Sequence, residues 1–263
     1  MSILKKGFTT FDIKVIGIIL MVIDHIHQMF FYTVPSWVDW FGRPVATMFF
    51  FVSVIGFSHT RNKGKYLSRL YIGTVVMSLG SPLLSDWIAH TGPMENFGLS
   101  NNIFRDLFLG VILMYGVDFI VEYRVNKHKA DLWKGIGLLL LPILLALPMV
   151  FMTMLPIPVI LGYTALVPSM LTAENSFLIY MIPLLYCFRN NRLVQSAVIA
   201  LGAMIGSLAF GTSQWFMVLA IIPILLYNGQ KGPGMRNFFY LFYPIHIWIL
   251  YAISCFVSSQ WFS

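Results

Sequence analysis

The stretch FDIKVIGIILMVIDHIHQMFF, Phe11–Phe31, decides the fold. Its length matches the about 20 residues that an α-helix needs to cross the hydrocarbon of a bilayer. The run Val15–Ile23 carries no charge, and Asp24, His25 and His27 follow it, well inside the apolar stretch. Ionisable groups at such depth are costly and face a partner or a polar cavity. On a helix, Lys14 and His25 are three turns and roughly 20° apart, about 16 Å along the axis. They share a face with Ile18, Met21 and Gln28. His25 and His27 are separated by about 200° and cannot ligate one ion. No His or Cys cluster elsewhere completes a metal site, so no metal is expected. His27 reads as a hydrogen-bonded packing histidine, and Asp24 as the partner of Arg43 or Arg105 from another span.

Outward from this stretch the chain keeps the same character. Of 263 residues, 58% are hydrophobic and 10% charged, with a mean hydropathy of +0.79. A soluble domain carries about 25% charged residues. The composition excludes a soluble enzyme, a disordered chain and a peripheral protein with one anchor. It leaves an all-α, polytopic transmembrane bundle, read as one integral-membrane domain over 1–263. Apolar runs bounded by charge or by Pro and Gly predict spans at 11–32, 44–59, 70–88, 103–121, 135–155, 175–188, 194–211, 215–228 and 237–256. The segment 157–171, with Pro158, Gly162 and Pro168, reads as a re-entrant or interfacial piece or as a further crossing. The N-terminus begins like a signal peptide but lacks a small-residue cleavage site, so it is read as a retained first span.

Sorting the basic residues gives sidedness. Lys5 and Lys6, the group Arg61, Lys63, Lys65 and Arg69, the group Arg124, Lys127, Lys129 and Lys134, and later Arg189, Arg192, Lys231 and Arg236 all fall at one set of span ends. The positive-inside rule makes those ends cytoplasmic. The N-terminus is then inside and the C-terminus outside, in a bacterial inner (plasma) membrane. The formal charge of +7 is thereby assigned to topology and the lipid bilayer, with no nucleic-acid partner. Lys14, Arg43 and Arg105 break the pattern, and their company with Asp24 and His25 marks a candidate site.

Four stretches carry a family resemblance. They are IKVIGIILMVIDHIHQMFF from Ile13; GRPVATMFFFVSVIGFSHTRNKGKYLSRL, Gly42–Leu70; NIFRDLFLG, Asn102–Gly110; and AIIPILLYNGQKGPGMRNFFYLFYPIHIWILYAI, Ala220–Ile253. On these residues the chain resembles the TraX family of pilin N-acetylase-like membrane proteins. It is more distantly similar to the type 3 membrane acyltransferases that acetylate sugars. That distant family has a basic residue, ten intervening residues and a histidine in its first span, a spacing met here by Lys14 and His25. The resemblance implies a catalytic role for His25. The chain departs from the TraX pattern at Ile55, where relatives have an acid before the glycine, and at Arg105-Asp106, where they have an apolar residue and threonine.

The resemblance implies a membrane acyltransferase that takes an acetyl group from cytosolic acetyl-CoA, without metal or redox cofactor. His25 would act as general base or as acyl carrier, with Asp24, Lys14 and Arg43 beside it. Arg61, Lys63, Lys65 and Arg69 would hold the phosphates of coenzyme A, with Asn228 of the turn-rich Tyr227–Gly234 loop nearby. Arg105, Asn102, Tyr243 and His246 would line the acceptor. The acceptor is a peptide or pilin N-terminus, a glycan hydroxyl or a secreted metabolite. A transporter or flippase with a polar intramembrane cavity is the rival class, since it also uses intramembrane charge and broken helices. A structural or assembly subunit without chemistry is the third.

Overall fold

The structure, a computed structural model, describes residues 7–88, 92–95, 97–234 and 236–261. Lys5 and Lys6, used above for sidedness, lie outside them. The described residues form eleven α-helices: α1 Thr10–Met29, α2 Arg43–His59, α3 Lys63–Trp87, α4 Ile103–Asn126, α5 Lys129–Leu144, α6 Leu147–Phe151, α7 Ile157–Leu166, α8 Met181–Cys187, α9 Arg192–Phe210, α10 Ile221–Leu225 and α11 Arg236–Trp261. Tighter 3-10 segments at Ser36–Phe41, Ser176–Tyr180 and Thr212–Ala220 precede α2, α8 and α10. Among the described residues there is no strand, only an isolated bridge between Phe8 and Tyr227.

Among the described residues, five helical stretches are long and apolar enough to cross a membrane: Ser36–His59, Lys63–Trp87, Lys129–Phe151, Arg192–Ala209 and Asn237–Gln260. With 20 and 24 residues, α1 and α4 also have the length, but α1 carries Asp12, Lys14 and Asp24, and α4 is still richer in charge. The runs expected to cross at 175–188 and 215–228 are different. Each is a 3-10 turn followed by a short helix, with apolar helical lengths Ser176–Cys187 and Ser213–Leu225. Pro183 and Pro223 sit in the first turn of α8 and α10. Proline fits there but would break a continuous helix. The 157–171 segment holds the ten-residue α7, half the length of a crossing helix. Lys63, Lys65 and Arg69, expected in a connection, occupy the first two turns of α3, whose start Asn62 caps by accepting from the Lys65 N–H at 2.8 Å. Apolar runs mark hydrocarbon, whereas helices continue into their charged ends.

Chain contacts divide the molecule into two compact units, one within 1–52, 79–100 and 199–263, the other within 53–78 and 101–198. In the first, Thr9 caps α1 through a reciprocal bond with Asp12. The segment 226–231 wraps this end. Phe8 N–H donates to Leu226 O at 2.8 Å, Thr10 N–H to Gln230 O at 2.8 Å and Phe11 N–H to Lys231 O at 3.1 Å. Gly232 closes the wrap at φ +70°, where a Cβ would stand 2.5 Å from Thr9 Oγ1, so only glycine fits. The start of α11 is thereby held beside the start of α1, and the two run side by side in the same direction: Lys14 Nζ lies 4.8 Å from the Phe239 ring, and Ser254 Oγ donates to Met29 O farther along.

In the second unit α4 is buried on most sides, from Ile103 to Gly116. It returns as α5 through Lys127, whose φ of 59° makes the left-handed turn. The two helices meet at glycines: a Cβ on Gly135 would lie 2.6 Å from the Ile120 side chain and 2.9 Å from Gly116 O. Gly135→Ala is expected to cost about 1–3 kcal/mol as overpacking. Gly137→Ala, with nothing within 4 Å, is the matched control and should be neutral or stabilising. Equal melting temperatures for the two variants in detergent would remove this account of the helix pair.

Candidate functional site

The buried stripe of α1 is Thr10, Ile13, Gly17, Met21, His25 and Met29, one face of a 3.6-residue helix. His25 is the charge-capable side chain of this buried stripe, and it faces α11. It meets His246 there. His25 Nδ1 and His246 Nε2 are 2.8 Å apart, with the rings edge to edge and nearly coplanar, 5.0 Å between centroids and 22° between planes. His25 is 4% and His246 8% exposed. The other nitrogen of His246, Nδ1, lies 2.8 Å from Phe242 O, one turn back on α11. Phe242 stacks on the outer side of His246 at 4.7 Å, and the buried Tyr243 ring stands edge-on to both imidazoles. His25 Nε2 has no hydrogen-bond partner among the described residues.

The remaining residues proposed beside His25 separate into two places. Lys14 is half-buried over Phe239. Asp24 faces Gly42 so closely that a Cβ there would fall 2.0 Å from its Oδ1. Asp24 was expected to pair with Arg43 or Arg105, but among the described residues neither bonds to it. Arg43 is ion-paired to Asp39, four residues back, and its Nη1 donates to Gln214 Oε1 at 3.1 Å. The reason is local: the 3-10 segment Ser36–Phe41 continues into α2, so Asp39 and Arg43 are neighbours one turn apart. His27, expected to be hydrogen-bonded, is partly exposed and makes no hydrogen bond among the described residues.

Within the second unit, Asn102 and Arg105 have structural duties. Asn102 Oδ1 caps α4 by accepting from Arg105 N–H at 3.3 Å, and Nδ2 donates to Thr74 O at 2.9 Å and Ser78 Oγ at 3.0 Å. The Arg105 guanidinium donates to the carbonyl oxygens of Thr172 and Thr164 and to Ser78 Oγ. The neighbouring Asp106, fully buried, accepts from Glu174 N–H at 2.8 Å and from both the backbone N–H and Nδ2 of Asn175. Of the basic run, Lys63 is ion-paired to Asp118 and lies over the Phe57 ring at 4.3 Å. Arg61 and Lys65 are exposed, and Arg69 is half-exposed, with Nε donating to Lys65 O. Asn228 Oδ1 accepts from Gln230 N–H at 2.9 Å inside its own turn.

The structure thus brings together His25, His246 and Tyr243, and sets Asp24 beside the Gly42–Arg43 corner. Asp39, Gln214 and Asp118 were not singled out from sequence. The Asp39–Arg43 spacing of four was a usable signal; Gln214 and Asp118 are partners across long separations that periodicity does not reveal. Among the described residues no group of three or more His, Cys, Asp or Glu is placed to hold a metal.

An all-α chain with membrane-length apolar helices and a buried, hydrogen-bonded histidine pair on α1 and α11 defines the class. The family described as TraX protein matches residues 11–254, and the chain belongs to that family. It is similar to the "Probable fimbrial assembly protein FimC, serogroup H1" of Dichelobacter nodosus, at 26% identity across 95% of this chain and 98% of that protein. No solved structure matches.

Proposed function

We propose that this protein is a multi-pass acyltransferase of the bacterial inner membrane that moves an acetyl group from acetyl-CoA to an amine or hydroxyl. The observation that carries the reading is His25: an imidazole buried in a membrane-length helix of a TraX-family chain, bonded through one nitrogen and open at the other. In the direct route, His25 takes the proton of the acceptor amine or hydroxyl as that atom bonds to the thioester carbonyl carbon. The C–S bond then breaks and the sulfur leaves as coenzyme A, which regains the proton from His25. In the covalent route, His25 Nε2 attacks the thioester carbonyl carbon and the C–S bond breaks, releasing the coenzyme A thiolate; the acceptor then bonds to the acyl carbon, the N–C bond to Nε2 breaks, and the acceptor's proton passes by way of Nε2 to the thiolate. Both begin from the same lone pair.

Asp24, Lys14 and Arg43 are proposed to set the charge around this centre, and Tyr243 to pack against the acceptor. Asn102 and Arg105 enter as framework, because Asn102 Nδ2 and Arg105 Nη1 and Nη2 donate to carbonyl and hydroxyl oxygens. The name of the Dichelobacter nodosus relative, a probable fimbrial assembly protein, supports a pilin-type peptide N-terminus as acceptor. For the donor, Arg61, Lys65 and Arg69 are the exposed cations suited to its phosphates, with Asn228 a further candidate; Lys63 contributes less, being neutralised by Asp118.

The test is transfer from labelled acetyl-CoA by the purified chain in detergent, with a synthetic peptide bearing a free α-amine and N-acetylglucosamine as probes. Transfer to either supports the reading; a folded chain that transfers to neither counts against it. Arg61→Ala with Arg69→Ala is expected to weaken coenzyme A binding about 10-fold, with a shallower salt dependence than the parent. Unchanged affinity would leave these residues as topology signals only.

A further inference from the structure

We infer that His246 is a positioning residue that fixes the tautomer of His25. The argument follows protons along one line of three groups. Phe242 O can only accept, so His246 Nδ1, 2.8 Å away, must carry a hydrogen. In a neutral imidazole the second nitrogen is then a bare acceptor, so His246 Nε2 offers a lone pair to His25 Nδ1, 2.8 Å away. His25 Nδ1 must therefore be the donor, and His25 Nε2 is left without a proton. That nitrogen is the one with no partner among the described residues.

A neutral histidine side chain in water prefers the opposite tautomer, with the proton on Nε2. The Phe242–His246 line reverses that preference. Phe242 stacks on His246 at 4.7 Å and holds that ring in place, and the in-plane bond to its Nε2 in turn fixes the orientation of the His25 ring. Holding a reacting imidazole through its second nitrogen is the same physical device that orients catalytic and metal-bound histidines generally. Here a second histidine replaces the usual carboxylate, so the line adds no charge to a buried, stacked cluster. The consequence for catalysis rests on the acyltransferase reading; the tautomer itself does not.

The experiment has a spectroscopic arm and a kinetic arm on the full-length chain. Nitrogen-15 labelling of the six histidines reports the protonation of each ring nitrogen, and His25→Gln identifies the His25 signals by their loss. In the parent protein, His25 is expected with Nδ1 protonated and Nε2 bare. His246→Phe keeps an aromatic ring in the stack but removes the acceptor, and should return His25 to a mixture dominated by the Nε2-protonated form. His246→Gln places an amide oxygen where Nε2 stood and should keep the parent pattern. In acetyl transfer to the peptide probe, His246→Phe should lower kcat about 10–100-fold with KM little changed, and His246→Gln should recover most of the loss. An Nε2-protonated His25 in the parent overturns the inference, as does a His25 signal indifferent to His246→Phe, or equal kcat for His246→Phe and the parent. If the parent transfers no acetyl group, the acyltransferase reading fails while the nitrogen-15 arm still decides the tautomer.

Discussion

Replacing His25 with alanine is expected to reduce acetyl transfer about 10²–10⁴-fold, the range for loss of a positioned general base, and to leave the chain folded. The two parts of that expectation have different origins. The rate loss follows because His25 Nε2 is the open lone pair of the buried pair, and either chemical route starts there. Retention of the fold follows because the remainder of the α1–α11 seam does not depend on it. Lys14 on Phe239, Ser254 on Met29, and the wrap of 226–231 around Thr9–Phe11 are separate contacts above and below the histidines. The alanine does leave a cavity, so a modest fall in melting temperature accompanies the rate loss. The measurement is initial rate with labelled acetyl-CoA beside a thermal melt of the same preparation. An alanine variant that transfers acetyl groups at the parent rate would remove His25 from the chemistry. His25→Gln separates cavity from chemistry, since glutamine fills most of the space and can donate to His246 Nε2 but has no basic nitrogen; it should be as inactive as alanine and melt closer to the parent.

Part of this was legible before any coordinates. The charge-free run Val15–Ile23 with Asp24 and His25 beyond it marks a membrane-length helix with something to hide, and periodicity puts His25 on the same stripe as Met21. The pairing with His246 was not legible, because 221 positions separate the two residues and no local rule links them. What α11 offered was only a histidine two residues after Pro244. Arg43 shows the opposite failure. Its partner Asp39 was in plain view at the helical spacing of four, but the stretch before α2 was read as connection, so the spacing was not applied. The runs that hold α8 and α10 form shorter helices than their apolar lengths suggest, because composition measures apolarity. It does not register that a proline in a first turn starts a new helix and ends the previous one.

Asp106 illustrates how a residue beside a candidate site can be decisive for another reason, and Asp106→Ala is expected to be the most destabilising of these substitutions. The Arg105–Asp106 pair has a structural use. Segment 167–175 is irregular after α7, and Thr164 lies in the last turn of that helix, so their backbone groups need partners that no helix supplies. Arg105 satisfies the carbonyl oxygens of Thr164 and Thr172, and Asp106 satisfies the N–H groups of Glu174 and Asn175. Adjacent side chains on α4 thus bind the acceptors and the donors of one loop, and Glu174 returns the contact by accepting from Asn102 N–H at 3.2 Å. Alanine at 106 leaves two backbone donors and the Asn175 amide without acceptors at a fully buried position. At about 1–3 kcal/mol for each buried group left unpaired, a net loss of about 3 kcal/mol or more is expected, or roughly 10 °C in melting temperature for a chain of this size. Asp106→Asn keeps one acceptor oxygen but turns an N–H₂ toward donors, and should fall between alanine and the parent. Protease cleavage within 164–175 is expected to rise in step with the loss. An alanine variant that melts with the parent and resists cleavage would show that this loop is held by its apolar contacts, Ala173 and the following Ile179 against Leu109 and Leu113 of α4, rather than by the carboxylate.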